Sequence, residues 1–209
     1  MSQPMDDEQI FAEIADERRR LADQLSSLTD DQWATPSLCE GWTCRDVVAH
    51  LVMQLVVSTP TIVLAMIRTF GDFDKANIAV TAKVAQQYDN LTAVLRDKAD
   101  KRFTPPGNGP RAPLSDLVIH GADIRRPLGL PSTTDPDRRR TVLDFLVTPK
   151  ASRGFTDGVA PVRWVATDLD WTFGDGPEVR GPAESLMLVM TGRDIALADL
   201  TGDGVATLS

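Results

Sequence analysis

The chain has few of the residues that form redox or metal sites on their own. Its 209 residues include two cysteines, two histidines and one tyrosine. Cys39 and Cys44 have no second pair to complete a four-ligand structural zinc site, and they do not form a C-x-x-C redox pair. We interpret both as small, buried or half-buried thiols. Cys44 would occupy the first position of a helix, where the helix dipole lowers a thiol pKa.

An excess of basic residues is absent as well. The net charge is −8, whereas a protein that binds nucleic acid usually presents a basic face. The densest basic run, residues 138–140, follows Asp135 and Asp137, so we interpret it as a solvated helix face. The composition therefore predicts no nucleic-acid partner.

No apolar run is long enough to cross a membrane. The most apolar stretch, residues 51–67, is interrupted by Gln54, Ser58 and Pro60 and falls short of the roughly 20 residues that a span needs. The first twenty residues are acidic and lack the apolar core of a secretory signal. We expect no membrane partner and a cytoplasmic location, where thiols stay reduced.

Apolar residues recur at helical spacing through the first 148 residues, and a capping-box pattern of Thr43 and Asp46 starts the second helix. Predicted helices cover residues 7–28, 43–55, 61–70, 76–99, 113–128 and 136–147. The Pro- and Gly-rich stretch 103–113 breaks the pattern.

After Pro149 the pattern changes to that of strands. Residues 161–173 predict strands, residues 174–176 a turn, residues 182–190 a helix that Gly192 ends, and residues 199–208 a turn and a short strand. We expect a helical domain over 1–148 and a small α/β domain over 149–209.

The two histidines lie on predicted helices. Asp116 and His120 are four residues apart and so share a helix face. Such a pair offers two ligands to one metal ion, and His50 can supply the third, leaving a position open for water or substrate. Alternatively, each histidine is a hydrogen-bonded core residue and Asp116 is an acid favoured by the helix dipole.

Three stretches resemble the mycothiol-dependent maleylpyruvate isomerase family. LCEGWTCRDVVAHL is similar to its C-x-G-W-T-x-R-D-x-x-A-H-L segment, and SDLVIHGADIRRPLGLP to its E-x-x-x-H-G-x-D-I-R-R-P-L-G signature. The tail EVRGPAESLMLVMTGR is similar, more weakly, to the small C-terminal domain, in which a helix ends in T-G-R. The resemblance covers nearly the whole chain.

The resemblance implies an α+β fold, with an N-terminal DinB-like up-down four-helix bundle followed by a small C-terminal α/β domain. It implies a divalent metal, usually zinc, on His50, Asp116 and His120, with mycothiol as co-substrate. In the namesake reaction the thiol adds to a cis double bond conjugated with a carbonyl, rotation follows, and the thiol leaves. The implied partners are a small-molecule thiol and an electrophilic substrate, with the chain acting as a monomer or homodimer.

Two further residues match the family's motifs, and one position departs from them. Asp123 would orient a ligand histidine, or else be a helix-surface acid paired with Arg125 or Arg126. Arg193 would bind a substrate carboxylate, or else satisfy the last carbonyls of its helix. Position 116 is Asp where the family usually has Glu, and the shorter side chain predicts weaker or water-mediated metal binding.

Three functions follow from these residues. The first is a metal- and thiol-dependent isomerase or S-transferase. The second is a non-catalytic, stress-related metal-binding protein of the DinB-like type. The third is a metal-dependent hydrolase using zinc-bound water, with Asp123 as the general base.

Overall fold

The computed structural model describes residues 5–104, 107, 109–156 and 158–208. The described part is mostly helical with one small sheet, so the expected α+β class is confirmed. The α-helices are α1 (Asp7–Leu25), α2 (Asp30–Ala34), α3 (Cys44–Val56), α4 (Thr59–Arg68), α5 (Phe73–Gln87), α6 (Leu91–Asp97), α7 (Arg111–Arg125), α8 (Pro136–Leu146) and α9 (Ala183–Met190). The strands are β1 (Arg163–Ala166), β2 (Thr172–Phe173) and β3 (Glu178–Gly181).

The chain divides into two compact units. The helical unit comprises Phe11–Phe103 and Asp123–Thr133, and the sheet unit comprises Met1–Ile10, Thr104–Ala122 and Thr134–Ser209. The helical unit holds most of α1, all of α2 to α6 and the end of α7. The sheet unit holds most of α7, α8, the strands and α9. The expected domain boundary between residues 148 and 149 stays a prediction.

Helix α3 is the best-buried element of the helical unit. It packs against α2, α5 and α6, because its sequence carries apolar residues on several faces and therefore predicts burial all round. Each fully buried aliphatic side chain of this kind stabilises the fold by about 1.5–3 kcal/mol. The fully or nearly fully buried apolar residues of α3 are Cys44, Val47, Val48, Ala49, Leu51, Val52 and Leu55.

Two stretches of the helical unit differ from the sequence-based expectation. The single helix expected over 76–99 is wrong, because the chain breaks between α5 and α6. The guanidinium of Arg45 donates to the carbonyls of Ala85 (3.0 Å) and Tyr88 (2.9 Å) at the end of α5, and Asn90 caps α6. A tertiary contact from α3 thus ends a helix that local periodicity would continue.

The polar connection before α3 contains a helix that the sequence pattern did not predict. Helix α2 begins with a complete capping box, in which Thr29 and Gln32 exchange side-chain to backbone hydrogen bonds. It is only five residues long, too short to show a helical period. Pro60 lies in the first turn of α4, where its missing N–H costs nothing.

The basic run of α8 is not a solvated face, so that interpretation is wrong. Arg138 is 3% exposed, and Arg139 forms an ion pair with Asp168 at 2.6 Å. The other carboxylate oxygen of Asp168 accepts from the backbone N–H of Ala183, the first residue of α9. Helix α8 packs against α9, so these arginines serve the internal packing of the sheet unit.

The sheet has the order β2-β1-β3, with β1 antiparallel to β2 and parallel to β3. Helix α9 packs on β1 and β3. The short strand expected over 199–208 is wrong: Thr201 forms one isolated bridge with Arg180, and Val205–Thr207 is a 3-10 turn. Directly after this bridge the chain turns at Gly202, which has φ +110° and lies so close to the Glu178 carbonyl that a Cβ would clash.

The breaker stretch 103–113 lies partly outside the described residues, and α7 begins at Arg111. None of the described helices is long and apolar enough to cross a membrane.

We predict that Thr43→Ala lowers the free energy of unfolding by about 1 kcal/mol, because it removes the side-chain acceptor of the α3 capping box. Urea denaturation followed by circular dichroism measures the change. Ser58→Ala is the matched control, since Ser58 occupies the N-cap of α4 without a side-chain cap hydrogen bond. An equal loss of stability in both variants would contradict this role of the box.

Candidate functional site

Helix α3 presents His50 from a fixed start. The Thr43 hydroxyl accepts from the Asp46 backbone N–H, and the Asp46 carboxylate accepts from the Thr43 N–H at 3.0 Å. The predicted capping box is therefore confirmed. His50 follows two turns after the cap, is 9% exposed, and its ring centroid lies 5.4 Å from that of Trp42.

Both ring nitrogens of His50 have amide neighbours. Its Nδ1 lies 3.2 Å from the Asn77 side-chain oxygen, and its Nε2 lies 3.5 Å from the Gln54 side-chain nitrogen. Asn77 lies on α5 and Gln54 one turn further along α3. Neither residue is predicted from the sequence, because nothing in the sequence indicates that Asn77 faces α3.

In the sheet unit, Asp116 and His120 lie side by side on α7. The Asp116 Oδ1 is 3.4 Å from the His120 Nε2, and their side chains are 18% and 15% exposed. An ordinary N–H···O hydrogen bond is shorter, about 2.7–3.2 Å. Two ligands about 2.1 Å from one tetrahedral zinc ion are separated by about 3.4 Å. The donor types and their spacing therefore fit a metal ion, even with Asp at 116.

Arg193 lies with these two residues. A cavity of about 120 Å³ brings Asp116, His120 and Arg193 together, so three predicted site residues from two distant motifs line one space. The full lining is Asp116, Ile119, His120, Gly154, Phe155, Thr191 and Arg193. Gly154 and Phe155 are not predicted from the sequence, because they follow a 3-10 turn and belong to no motif.

The end of α9 fixes Arg193. Gly192 has φ +81°, and the Arg193 N–H donates to the Leu188 carbonyl at 2.9 Å, so the helix ends at this glycine as expected. The Arg193 guanidinium also donates to the Thr191 carbonyl at 2.5 Å. The Arg193 side chain therefore bonds to a carbonyl at the end of its helix, which is the alternative to substrate binding given above. It also lines the cavity.

A larger open depression adjoins the cavity. It has a volume of about 550 Å³ and shares Gly154, Phe155 and Thr191 with the smaller space. A site for a drug-sized ligand usually measures about 300–1,000 Å³. The sheet unit thus combines a small, charged cavity with an adjoining depression large enough for an organic molecule.

His50 and Asp123 belong to the helical unit, where Asp123 lies near the end of α7. Asp123 is fully buried, so it does not lie on the helix surface, while its pairing with Arg125 or Arg126 stays a prediction. Its Oδ2 accepts from the Cys39 thiol at 3.0 Å, and its backbone carbonyl accepts from the Leu38 N–H. Asp123 therefore ties the loop before α3 to the end of α7.

Both cysteines are free thiols, as expected, with Cys39 half-buried and Cys44 buried. Burial raises the pKa of the Cys44 thiol, and the hydrogen bond from its own backbone N–H only partly offsets this. The expectation that the helix dipole lowers this pKa is therefore wrong, because loss of solvation outweighs the dipole.

The comparisons with known proteins agree with this fold. Residues 14–61, which include α3 and His50, match the family model described as the mycothiol maleylpyruvate isomerase N-terminal domain. The resemblance to this family is thus confirmed. A comparison with curated proteins gives no match.

Two crystal structures extend the likeness to nearly the whole chain. One is of the mycothiol-dependent maleylpyruvate isomerase, with 14% identity and a TM-score of 0.55; the other is of a mutant of it in which a histidine is replaced by alanine, with 13% identity and a TM-score of 0.58. Each alignment covers 97% of this chain and 96% of the other. At this identity the likeness establishes the fold.

We predict that in the folded protein Cys44 reacts with a thiol reagent more slowly than the half-buried Cys39. Cys44 is fully buried and its pKa is raised, so little thiolate is available. Iodoacetamide labelling with mass spectrometry, near neutral pH, measures both. The Cys39→Ser variant should label slowly until it is denatured, and labelling of folded Cys44 as fast as that of Cys39 would contradict the prediction.

Proposed function

We propose that this chain is a metal-dependent enzyme that uses a low-molecular-weight thiol, mycothiol in the case of its family, to isomerise a small electrophile or to add the thiol to it. The observation that carries the proposal is the cavity that Asp116, His120 and Arg193 line together. Such a reaction requires side chains that can bind a metal and a side chain that can bind a carboxylate, close together in one small space.

The metal would bind to His50, Asp116 and His120. The 3.4 Å separation of the Asp116 and His120 donor atoms and the low exposure of the His50 ring support this set. When bound, a divalent ion supplies Lewis-acid chemistry that stabilises a thiolate or polarises a carbonyl. Three protein ligands leave a position open, as in catalytic zinc sites.

Arg193 would hold a carboxylate of the substrate. Its guanidinium can form paired hydrogen bonds to a carboxylate, and the Gly192 turn fixes its backbone at the cavity. Phe155, which also lines the cavity, provides an apolar wall that limits water around the reacting double bond. The adjoining depression would accept the bulk of the thiol.

Asp123 would act as a positioning residue. Its buried carboxylate and backbone carbonyl both bond to the loop before α3, so it supports the approach to the helix that carries His50. A general base for hydrolysis must reach water, and Asp123 is 0% exposed. The geometry therefore favours thiol chemistry over the hydrolase alternative.

We predict that the purified protein holds about one divalent ion per chain and that His50→Ala and His120→Ala each lose it, because each removes one of three ligands. Elemental analysis of the purified variants measures this. Asp116→Glu should keep the metal, since Glu also ligates and is the usual family residue. Asp137→Asn, at an exposed first-turn acid of α8, is the control. Full retention of metal in either histidine variant would refute the ligand set.

We predict thiol-dependent turnover of a carboxylate-bearing cis-enone, and a loss in Arg193→Lys of about 10–100-fold in kcat/KM, mostly through KM. The reason is the loss of a charge-assisted hydrogen bond, worth about 1.5–3 kcal/mol. The methyl ester of the same substrate should not distinguish the variant from the native protein.

Arg163→Lys is the matched control, because Arg163 is an exposed residue at the start of β1. If metal binds but no thiol is consumed and no isomer changes across a panel of electrophiles with mycothiol, the chain is instead a non-catalytic metal-binding protein. Turnover without added thiol would indicate hydrolysis.

A further inference from the structure

Two side-chain amides flank the ring of His50, one at each nitrogen. At Nδ1 the neighbour is the carbonyl oxygen of Asn77, at 3.2 Å, and at Nε2 it is the amide nitrogen of Gln54, at 3.5 Å. An amide oxygen can only accept a hydrogen bond, and an amide nitrogen can only donate one. The two contacts therefore indicate which nitrogen of the His50 ring carries the proton.

Both contacts select the same neutral form of His50. With the Asn77 amide oriented so that its oxygen faces the ring, the contact is a hydrogen bond only if Nδ1 carries the hydrogen. Because Gln54 presents a donor, Nε2 must carry the lone pair. The opposite tautomer would set a ring N–H against the Gln54 NH₂ group and a lone pair against the Asn77 oxygen, so it would lose both interactions.

Asn77 is placed for this contact by the packing of α5 on α3. Residues Ala76, Val80 and Val84 of α5 are buried, and α5 packs against α3 more extensively than any other described pair of elements. Asn77 is three residues before Val80, so it borders this inner face. Asparagine disfavours the interior of a helix. Local helix propensity therefore does not explain why an asparagine occupies position 77.

We propose that Asn77 is a positioning residue that holds His50 as the Nδ1–H tautomer and so directs the Nε2 lone pair to a metal ion. This rests on the proposed metal site. Metal-binding histidines commonly donate their second N–H to a carbonyl or carboxylate, and the loss of that partner costs about 10–100-fold in metal affinity. Gln54, whose amide nitrogen lies 3.5 Å from the same Nε2, would have to give up this contact for a metal to bind there.

The tautomer can be measured without any metal. Nitrogen-15 NMR of the metal-free protein distinguishes a protonated from an unprotonated ring nitrogen, and the His120→Ala variant leaves His50 as the only histidine to assign. We expect a protonated Nδ1 and an unprotonated Nε2. A protonated Nε2 in the neutral ring would overturn the proposal, whether or not the protein binds metal.

Metal affinity tests the role of Asn77 itself. In a competition titration with Zn²⁺ and a chromogenic chelator, Asn77→Leu should bind about 10–100-fold more weakly than the native protein, since Leu has similar size but no acceptor. Asn77→Asp should restore binding, because its carboxylate accepts the same hydrogen bond. Gln54→Leu, the matched control on the other side of the ring, should bind as tightly as the native protein or more tightly.

The outcomes separate this proposal from that of the metal site. If the native protein does not bind Zn²⁺, the metal site fails while the tautomer measurement still tests Asn77. If the native protein binds but Asn77→Leu binds equally well, or if Gln54→Leu weakens binding to the same extent, Asn77 does not position His50 and the proposal is refuted.

Discussion

The reciprocal hydrogen bonds between Thr43 and Asp46 fix where α3 begins, and much of the helical unit depends on that position. If the sequence were shifted by one residue relative to this start, each side chain of α3 would rotate by about 100°, and apolar side chains that are now buried on α2, α5 and α6 would be exposed. The same shift would turn His50 away from Asn77 and Trp42. The cap therefore determines both the packing of α3 and the orientation of its histidine.

Polar side chains form hydrogen bonds to residues far away in the chain at several places in the molecule, and these bonds explain several departures from local pattern. The guanidinium of Arg45 ends α5 by bonding to its last carbonyls. Asp168 links Arg139 of α8 to the start of α9. The carboxylate of Asp123 accepts from the Cys39 thiol. Because each of these bonds joins residues that are distant in the chain, it restrains the two backbone elements that carry its members.

Sequence predicted the features that depend on residues close together in the chain. The capping box of Thr43, the Asp116–His120 spacing and the glycine stop at Gly192 each follow from helix geometry over a few positions. The break at residues 88–90, the burial of Arg138 and the contact of Asn77 with His50 depend on distant partners, which no local period reveals. For the same reason the motifs identified Arg193 but not Gly154 and Phe155, which share its cavity.

The shorter acid at position 116 need not weaken the proposed site. The Asp116 oxygen already lies 3.4 Å from His120 Nε2, the spacing that a shared tetrahedral ion requires, so the missing methylene does not limit its reach. An aspartate also has one fewer rotatable bond than a glutamate, and ordering it costs less conformational entropy. Both donors lie on one helix and would be occupied by the metal. In the proposed enzyme, the other lining residues Gly154, Phe155 and Arg193 would therefore determine which substrate fits the cavity.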